Sequence, residues 1–212
     1  MPARWFAQAD PGLLARRGLA CVLVLGAMAG VMLLGWDQPV REVLGRFGKT
    51  NFGHAWGVSA YWMGLGGVQL AAAAAFIALA IWARSFRWRA IGINCLWAVA
   101  VSGIMVQLIK HLVGRARPRT GLAANMLVGL TMNSDMHSFP SGHAATSFAL
   151  AAWLSSRCPH YTVVFYGLAV FISLGRVISG SHYASDVLGG MALGLMVGWA
   201  LDFRRRTKEV SA

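Results

Sequence analysis

Six apolar stretches follow one another along this 212-residue chain, at about 18–36, 58–83, 90–109, 141–157, 161–176 and 184–203. A helix needs about 20 apolar residues to cross the hydrocarbon core of a bilayer, and six such stretches leave few other folds open. The fourth and fifth are short and carry polar residues at one end. Charged residues make up 12% of the chain and apolar residues 57%, against about 25% and 45–50% in soluble domains. That little charge cannot cover a water-facing surface. An ordinary soluble globule, a disordered chain and a disulfide-stapled secreted module are excluded. The pattern predicts an all-α, polytopic membrane bundle of six transmembrane helices, one domain over residues 1–212. No repeat or linker divides it, although Ala71 to Ala75 is an unbroken alanine run inside the second stretch.

The net charge is +12, from 19 Lys and Arg against 7 Asp and Glu. Basic residues accumulate in cytoplasmic loops of membrane proteins, so the excess does not require nucleic acid. With both termini cytoplasmic, the inner side holds Arg4, Arg16, Arg17, Arg84, Arg87, Arg89, Arg157, Arg204, Arg205, Arg206 and Lys208. The outer side holds Arg41, Arg46, Lys49, Lys110, Arg115, Arg117, Arg119 and Arg176. The bias is modest, but the outer set lies beside histidines, which suggests a role other than topology. Ala27-Met28-Ala29 resembles a signal-peptide cleavage site; because the apolar run continues through Leu34, an uncleaved span is expected. Cys21, Cys95 and Cys158 lack a metal-type spacing and read as small packing residues.

Between the first two spans, Val40, Val43, Leu44 and Phe47 recur at helical spacing among Arg41, Glu42 and Arg46. Asp37 and Pro39 suit the start of such a helix. This predicts a short helix lying in the outer interface, or a connector with an apolar underside. Trp5, Phe6, Trp82, Phe86 and Trp88 read as interfacial anchors.

Three clusters carry chemistry, all on the predicted outer face. Lys110 is followed after six residues by Arg117-Pro118; Pro140-Ser141-Gly142-His143 opens the fourth span; Arg176, His182 and Asp186 cross from the fifth span to the sixth. Like charges at 4 Å repel by about 4 kcal/mol at an effective dielectric near 20. Three gathered cations therefore ask for an anion, and guanidinium forks match phosphate oxygens. Pro140 stops any preceding helix and Ser141 suits an N-cap, so the first turn of the fourth span offers free N–H groups to an anion. His182 and Asp186 are four apart and share a helix face. A carboxylate on one imidazole nitrogen leaves the other free to attack phosphorus. His143 can protonate a departing alkoxide or phosphate. Phosphoryl transfer is mostly positioning plus charge stabilisation, and with three cations present no metal is needed.

The order and spacing of these clusters resemble the three signature motifs of the type 2 phosphatidic acid phosphatase superfamily, and the six-span layout resembles its membrane-bound branch. The motifs lie within residues 110–186, about a third of the chain. The resemblance implies that His182 is the nucleophile, forming a phosphohistidine, that Asp186 orients it, and that His143 protonates the leaving group. It implies that Lys110, Arg117, Ser141, Gly142 and Arg176 bind the phosphoryl oxygens. No cofactor or metal is expected. The implied activity is hydrolysis of a lipid phosphate or pyrophosphate at the outer face of a plasma membrane, in a bacterium the inner membrane. Undecaprenyl pyrophosphate, phosphatidylglycerol phosphate, phosphatidic acid and a lipid A phosphate all fit as substrates. One departure is Gly175, where the third motif usually has Ser.

The same residues admit other readings. His143, His182 and Asp186 resemble a two-histidine, one-carboxylate metal site, which three cations would oppose. An intramembrane serine protease built on Ser141 would leave the cations without a role. An anion channel or carrier would leave the His182–Asp186 pair surplus. A lipid phosphotransferase shares the phosphohistidine step. Arg115 and Arg119 read either as holders of a second phosphate or head group or as solvated residues. Asn133, Asp135 and His137 read as loop residues before specificity determinants. His54, His111 and His160 have no partner identifiable in the sequence, and Tyr183 reads as an interfacial residue.

Overall fold

The computed structural model describes residues 11–210, with side chains over 12–203. Arg4, Trp5 and Phe6, and the side chains of Arg204, Arg205, Arg206 and Lys208, lie outside the described residues. Eight α-helices are present among the described residues: α1 (Pro11–Leu33), α2 (Asp37–Gly48), α3 (Asn51–Gly64), α4 (Gly66–Trp82), α5 (Phe86–Val113), α6 (Gly142–Arg157), α7 (Thr162–Ile178) and α8 (Ala184–Val210). The all-α class expected from the sequence is observed. Four helical runs are long and apolar enough to cross a membrane: Gly12–Leu33, Phe86–Val113, Pro159–Ile178 and Ala184–Phe203.

The second expected span is not one straight helix. α3 and α4 meet at a 55° bend, and together they would make a fifth crossing. Leu65 between them is extended, with φ −67° and ψ 120°. Gly64 sits where α3 passes α6 and α7. A Cβ there would lie 2.5 Å from His143 Cδ2 and 2.6 Å from Ile172 Cγ2. Gly66 and Gly67 follow, and each glycine weakens a helix by about 1 kcal/mol. Gln69 satisfies the carbonyl freed at the break, donating to Met63 O at 3.2 Å and to Ser147 Oγ at 3.0 Å.

α6, the fourth expected span, is 16 residues long. At 1.5 Å per residue it reaches about 24 Å, short of a hydrocarbon core of about 30 Å. It is the axis of the bundle, enclosed by α5, α7 and α8. Trp153 is fully buried in it and donates to Ile91 O of α5 at 3.3 Å.

α6 and α8 approach closely because of a stripe of glycines. Gly190, Gly194 and Gly198 recur every fourth residue on α8, facing Ser141, Ala145 and Ala149 of α6. A Cβ at the three positions would stand 2.4, 2.3 and 2.6 Å from those residues' carbonyl oxygens. Small residues at this spacing let membrane helices pack backbone to backbone, where dispersion replaces the hydrophobic effect as the driving force. The consequence for the site is positional: the N-termini of α6 and α8 meet, and Ser141 N donates to Asp186 O at 2.9 Å.

At the other end of α8, Asp202 is fully buried. It pairs with Arg17 of α1 at 2.7 Å and with Arg157 of α6. Two of the cations counted toward topology thus hold three helices together. Cys95 packs in the core with Ala73, Ile91 and Trp153, as a packing residue should, and all three cysteines are free. Trp82, Phe86 and Trp88 are exposed around the α4–α5 turn.

α2 forms where the apolar spacing places it, but Asp37 does not cap it. The N-cap position is Trp36 and no side chain bonds there. Asp37 is instead turned into the bundle, 3% exposed. Overpacking a tight contact costs about 1–3 kcal/mol, so Gly194→Ala should lower the melting temperature in detergent by several degrees. Gly167→Ala on α7, where nothing lies within 4 Å of the added Cβ, should leave it unchanged or raise it slightly. Equal melting temperatures for the two variants would show that the stripe does not set the packing.

Candidate active site

α5 ends at Gly114, whose left-handed backbone (φ +59°) turns the chain and whose missing Cβ admits Gly129 O, 2.2 Å from where it would stand. The turn delivers Arg115 to the interior and Arg117 to the site. The returning loop is tied to it by Ser138 N donating to Arg115 O and Arg117 N donating to Asp135 O.

Asp186 lies at the third position of α8 and accepts from the Tyr183 N–H at 2.9 Å. This is the acidic half of a capping box, in which a carboxylate reaches back to the N-cap amide. Its Oδ2 also accepts from Ser138 Oγ at 2.6 Å, and its Oδ1 from Arg115 Nη1 at 2.6 Å. Asp37 takes another amide of the same helix end, two residues on: Oδ1 accepts from Ser185 N at 3.0 Å. Arg115 Nη2 donates to Asp37 Oδ2 at 2.6 Å, its Nη1 also to Ser185 Oγ at 2.7 Å, and its Nε to Ala124 O at 2.8 Å. One guanidinium therefore joins two buried carboxylates. Arg115 is 1% exposed, which overturns both sequence readings of it, as a head-group holder or a solvated residue. Arg119 is the solvated one, paired with Asp135 at 2.6 Å on the surface.

His182 stands on this platform. Its Nδ1 is 3.6 Å from Asp186 Oδ2, beyond hydrogen-bond length, and is buried without a partner. The pairing expected from the four-residue spacing is present, but the bond is open because Ser138 and Tyr183 already occupy that oxygen. Burial pushes the imidazole pKa down to about 4; Asp186 opposes the shift and Lys110 and Arg117 reinforce it. The ring is neutral at pH 7, as a nucleophile requires. Both cations thus lie within electrostatic range of it. The backbone N–H groups of Ser181 and His182 both donate to Arg176 O, at 3.1 and 3.2 Å, fixing the turn from α7.

His143 donates from Nε2 to Tyr61 O at 3.1 Å. A carbonyl only accepts, so the hydrogen is on Nε2 and Nδ1 is the nitrogen left for proton transfer. Tyr61 also stacks beneath Arg176, its ring centroid 5.4 Å from Cζ. Arg176 Nε is buried with no partner. Ser141 lies at the N-cap of α6, yet its Oγ makes no capping bond and is likewise buried and unpartnered. The side-chain cap expected there is absent, and the hydroxyl and the first N–H groups of α6 are left for a ligand. Arg117 bonds Ser134 O through Nε at 3.1 Å, leaving the rest of its fork unpaired among the described residues. Burial, then repulsion from Arg119, lowers its pKa. Lys110 is 8% exposed and lines a cavity with Gly142 and His143.

All eight residues expected from the sequence thus converge: His182, His143, Asp186, Lys110, Arg117, Ser141, Gly142 and Arg176. Among the described residues no three His, Cys, Asp or Glu side chains gather as a metal ligand set. Gly175, the departure from the motif, is explained by packing. A Cβ there would lie 2.2 Å from Ala60 Cβ and 3.2 Å from the Trp56 ring, so α7 can pass α3 only with glycine. The roles of Asp37, Ser138 and Tyr61 escape the sequence reading, as does the contact between His111 and His137, whose ring centroids are 4.4 Å apart. His137 Nε2 also lies 3.0 Å from Thr131 O, so the pair belongs to the loop's own packing.

Comparison with known proteins identifies the family. A family model described as the PAP2 superfamily matches residues 91–207. The lipid A 1-phosphatase of Rhizobium johnstonii is 31% identical over 90% of this chain and 82% of its own length. The decaprenylphosphoryl-5-phosphoribose phosphatase of Mycobacterium tuberculosis is 40% identical over 50% of this chain and 59% of its own. A crystal structure of a transmembrane PAP2-type phosphatidylglycerolphosphate phosphatase from Bacillus subtilis superposes with a TM-score of 0.67, covering 91% of this chain and 95% of that one at 19% identity. The chain is an integral membrane protein and belongs to the PAP2 superfamily.

Proposed function

We propose that this protein is a metal-independent lipid phosphatase that works through a phosphohistidine. The observation that carries the reading is the pair of buried, unpartnered polar atoms on the residues around His182: Ser141 Oγ and Arg176 Nε. Buried polar groups without partners are rare in folded proteins, and an anion with several oxygens supplies what these lack. His182 Nε2 attacks phosphorus and the bond to the lipid oxygen breaks. His143, doubly protonated beside the bound phosphoryl anion, keeps its Nε2–H on Tyr61 O and delivers the Nδ1 proton to the departing oxygen. Asp186 counterbalances the positive charge that forms on the His182 imidazole, its contact to Nδ1 closing from 3.6 Å. Water then gives its proton to His143 and attacks the phosphohistidine, releasing phosphate and restoring both histidines. Lys110, Arg117, Arg176, Ser141 and the Gly142 N–H hold the phosphoryl oxygens throughout.

The lipid chain has a place to lie. Lys110 and His143 stand at the rim of an apolar cavity of about 640 Å³ between α4, α5 and α6. Its walls at Gly66, Gly67 and Gly103 are open, with nothing within 4 Å of an added Cβ. Among substrates, the 31% identity to lipid A 1-phosphatases over most of both chains favours a lipid A phosphate, ahead of phosphatidylglycerol phosphate, phosphatidic acid and undecaprenyl pyrophosphate. The six-span arrangement, with α2 in the interface, both termini cytoplasmic and the site at the outer face of the inner membrane, completes the proposal. α6 then crosses as a short inner helix shielded by its neighbours.

Phosphate release from these four lipids, with chelator present, tests the reading. His182→Ala should abolish turnover, and Arg176→Ala should cost about 100- to 1000-fold, the usual loss of one charge-stabilising donor; full turnover in His182→Ala would overturn the nucleophile assignment. Arg115 and Asp37 touch no substrate in this scheme. Arg115→Lys cannot fork between the two carboxylates, so it and Asp37→Asn should lower kcat about tenfold or more while KM hardly moves. Each should also lower thermal stability, since breaking a buried ion pair costs about 3–5 kcal/mol. Wild-type kcat in Arg115→Lys would show that the network does not position His182. Filling the groove with Gly103→Trp should slow turnover of long-chain substrates and spare a short-chain, water-soluble phosphate ester. An equal loss on both would place the lipid chain elsewhere.

A further inference from the structure

On the side of the site away from the apolar groove lies a second cavity, of about 940 Å³, between α2, α3 and the end of α7. Its lining is cationic: Arg41, Arg46, Lys49 and the candidate site residue Arg176, with His54 beside them. One carboxylate, Glu42, faces it, and Glu42 is held by Gln38 Nε2 at 3.0 Å. Among the described residues, Arg41, Arg46 and Lys49 form no ion pair; Arg41 bonds only the Gln38 side-chain oxygen, at 3.3 Å. Unpaired like charges around one concavity raise the local potential and concentrate anions there.

The cavity is continuous with the site rather than merely near it. Arg176 belongs to both, and its Nε is buried without a partner. Tyr61 forms the shared wall, with its carbonyl on His143 and its ring under Arg176. Arg41 is within electrostatic range of Tyr183, the neighbour of His182. A phosphoryl group seated among His143, Arg176 and His182, with its chain in the groove, has this cavity beside it to take the rest of its head group. Its volume falls in the range of small-molecule sites, about 300–1,000 Å³, larger than a lone phosphate needs.

We propose that this cavity is a second anion subsite, in which Arg41, Arg46 and Lys49 bind a phosphate or carboxylate on the substrate remote from the bond being cleaved. The favoured substrates are then amphiphiles carrying two separated anionic groups on a sugar-sized head. The inference rests on the lipid phosphatase reading and narrows its substrate class. Arg41, Arg46 and Lys49 take no part in the proposed phosphoryl transfer, so their removal leaves that machinery in place.

The test uses the full chain and the triple variant Arg41→Ala, Arg46→Ala, Lys49→Ala in neutral detergent, with two substrates. One is a glycolipid bearing two separated phosphates; the other is phosphatidic acid, whose remainder is uncharged. Losing charge-assisted contacts should lower kcat/KM on the bisphosphate on the order of 10- to 100-fold. Phosphatidic acid turnover should change by less than about threefold, as expected for exposed charges that touch nothing on the substrate. The difference should shrink at high salt. An equal loss on both substrates, or none on either, would overturn the subsite. Micelles doped with phosphatidylglycerol or phosphatidylcholine separate the two sources of anion. If phosphatidylglycerol alters phosphatidic acid turnover in the wild type and not in the triple variant, the cations bind bulk anionic lipid and the proposal fails. If the wild type cleaves neither substrate, the hydrolase reading fails instead. Equilibrium binding of the bisphosphate lipid to the wild type and the triple variant then decides the subsite: weaker binding by the variant supports it and equal binding refutes it.

Discussion

The guanidinium of Arg115 joins parts of the molecule that are far apart in sequence. It is buried, and it donates at once to Asp37 at the start of α2 and Asp186 at the start of α8. A lone charge in that environment would carry a desolvation penalty of several kcal/mol, and so would either carboxylate. Together they form a compact set with nearly every lone pair and hydrogen in use. The set also supplies what a buried helix end lacks, because Asp186 and Asp37 accept from the Tyr183 and Ser185 amides of α8. Two amides at the N-terminus of α8 are therefore satisfied by protein carboxylates, whereas the N-terminus of α6, a hydrogen bond away, has no side-chain cap and an unbonded serine hydroxyl. Of two adjacent helix ends with the same dipole, one is closed by protein carboxylates and the other is open to an anion.

The glycines decide whether those two ends can be adjacent at all. With a Cβ at Gly190, α8 would stand off from α6 at Ser141, and the bond from Ser141 to the Asp186 carbonyl would be lost. Gly175 and Gly64 do similar service for α7 and α3, bringing Tyr61 between Arg176 and His143. The same close passage at Gly64 accounts for the break at Leu65. The geometry of the candidate site and the helix packing are here one problem, because the polar groups sit on backbones that must nearly touch.

Most of the site is legible in the sequence because its parts are local. His182 and Asp186 are four residues apart, Arg117 follows Lys110 within one turn and a half-loop, and Pro140-Ser141-Gly142-His143 announces a helix start. The all-α membrane class follows equally from hydropathy. What local reasoning cannot supply is pairing at long range. Asp37 meets Arg115 across 78 residues, and in isolation an aspartate ahead of an amphipathic stretch reads as a cap. Arg115, flanked by cations that do face the site, reads as one of them. The bend at Leu65 is hidden because glycines inside an apolar run fit a straight span as well as a broken one; only the presence of the His143 ring selects between them. The stripe on α8 is visible as a spacing, but its partner helix is not.

The two ends of α8 are pinned by opposite arrangements: a cation between two carboxylates at one end, and Asp202 between two cations, Arg17 and Arg157, at the other. Sliding α8 by one turn, about 5.4 Å, would break both clusters together, so its axial register is fixed twice over. The ribosome also makes α8 after every helix that contributes to these clusters. Until it enters, Arg115, Arg17 and Arg157 have no complete set of counter-charges, and the open end of α6 faces nothing. Both clusters therefore depend on one helix, the last in the chain of those that contribute to them, and α8 neutralises both layers at once.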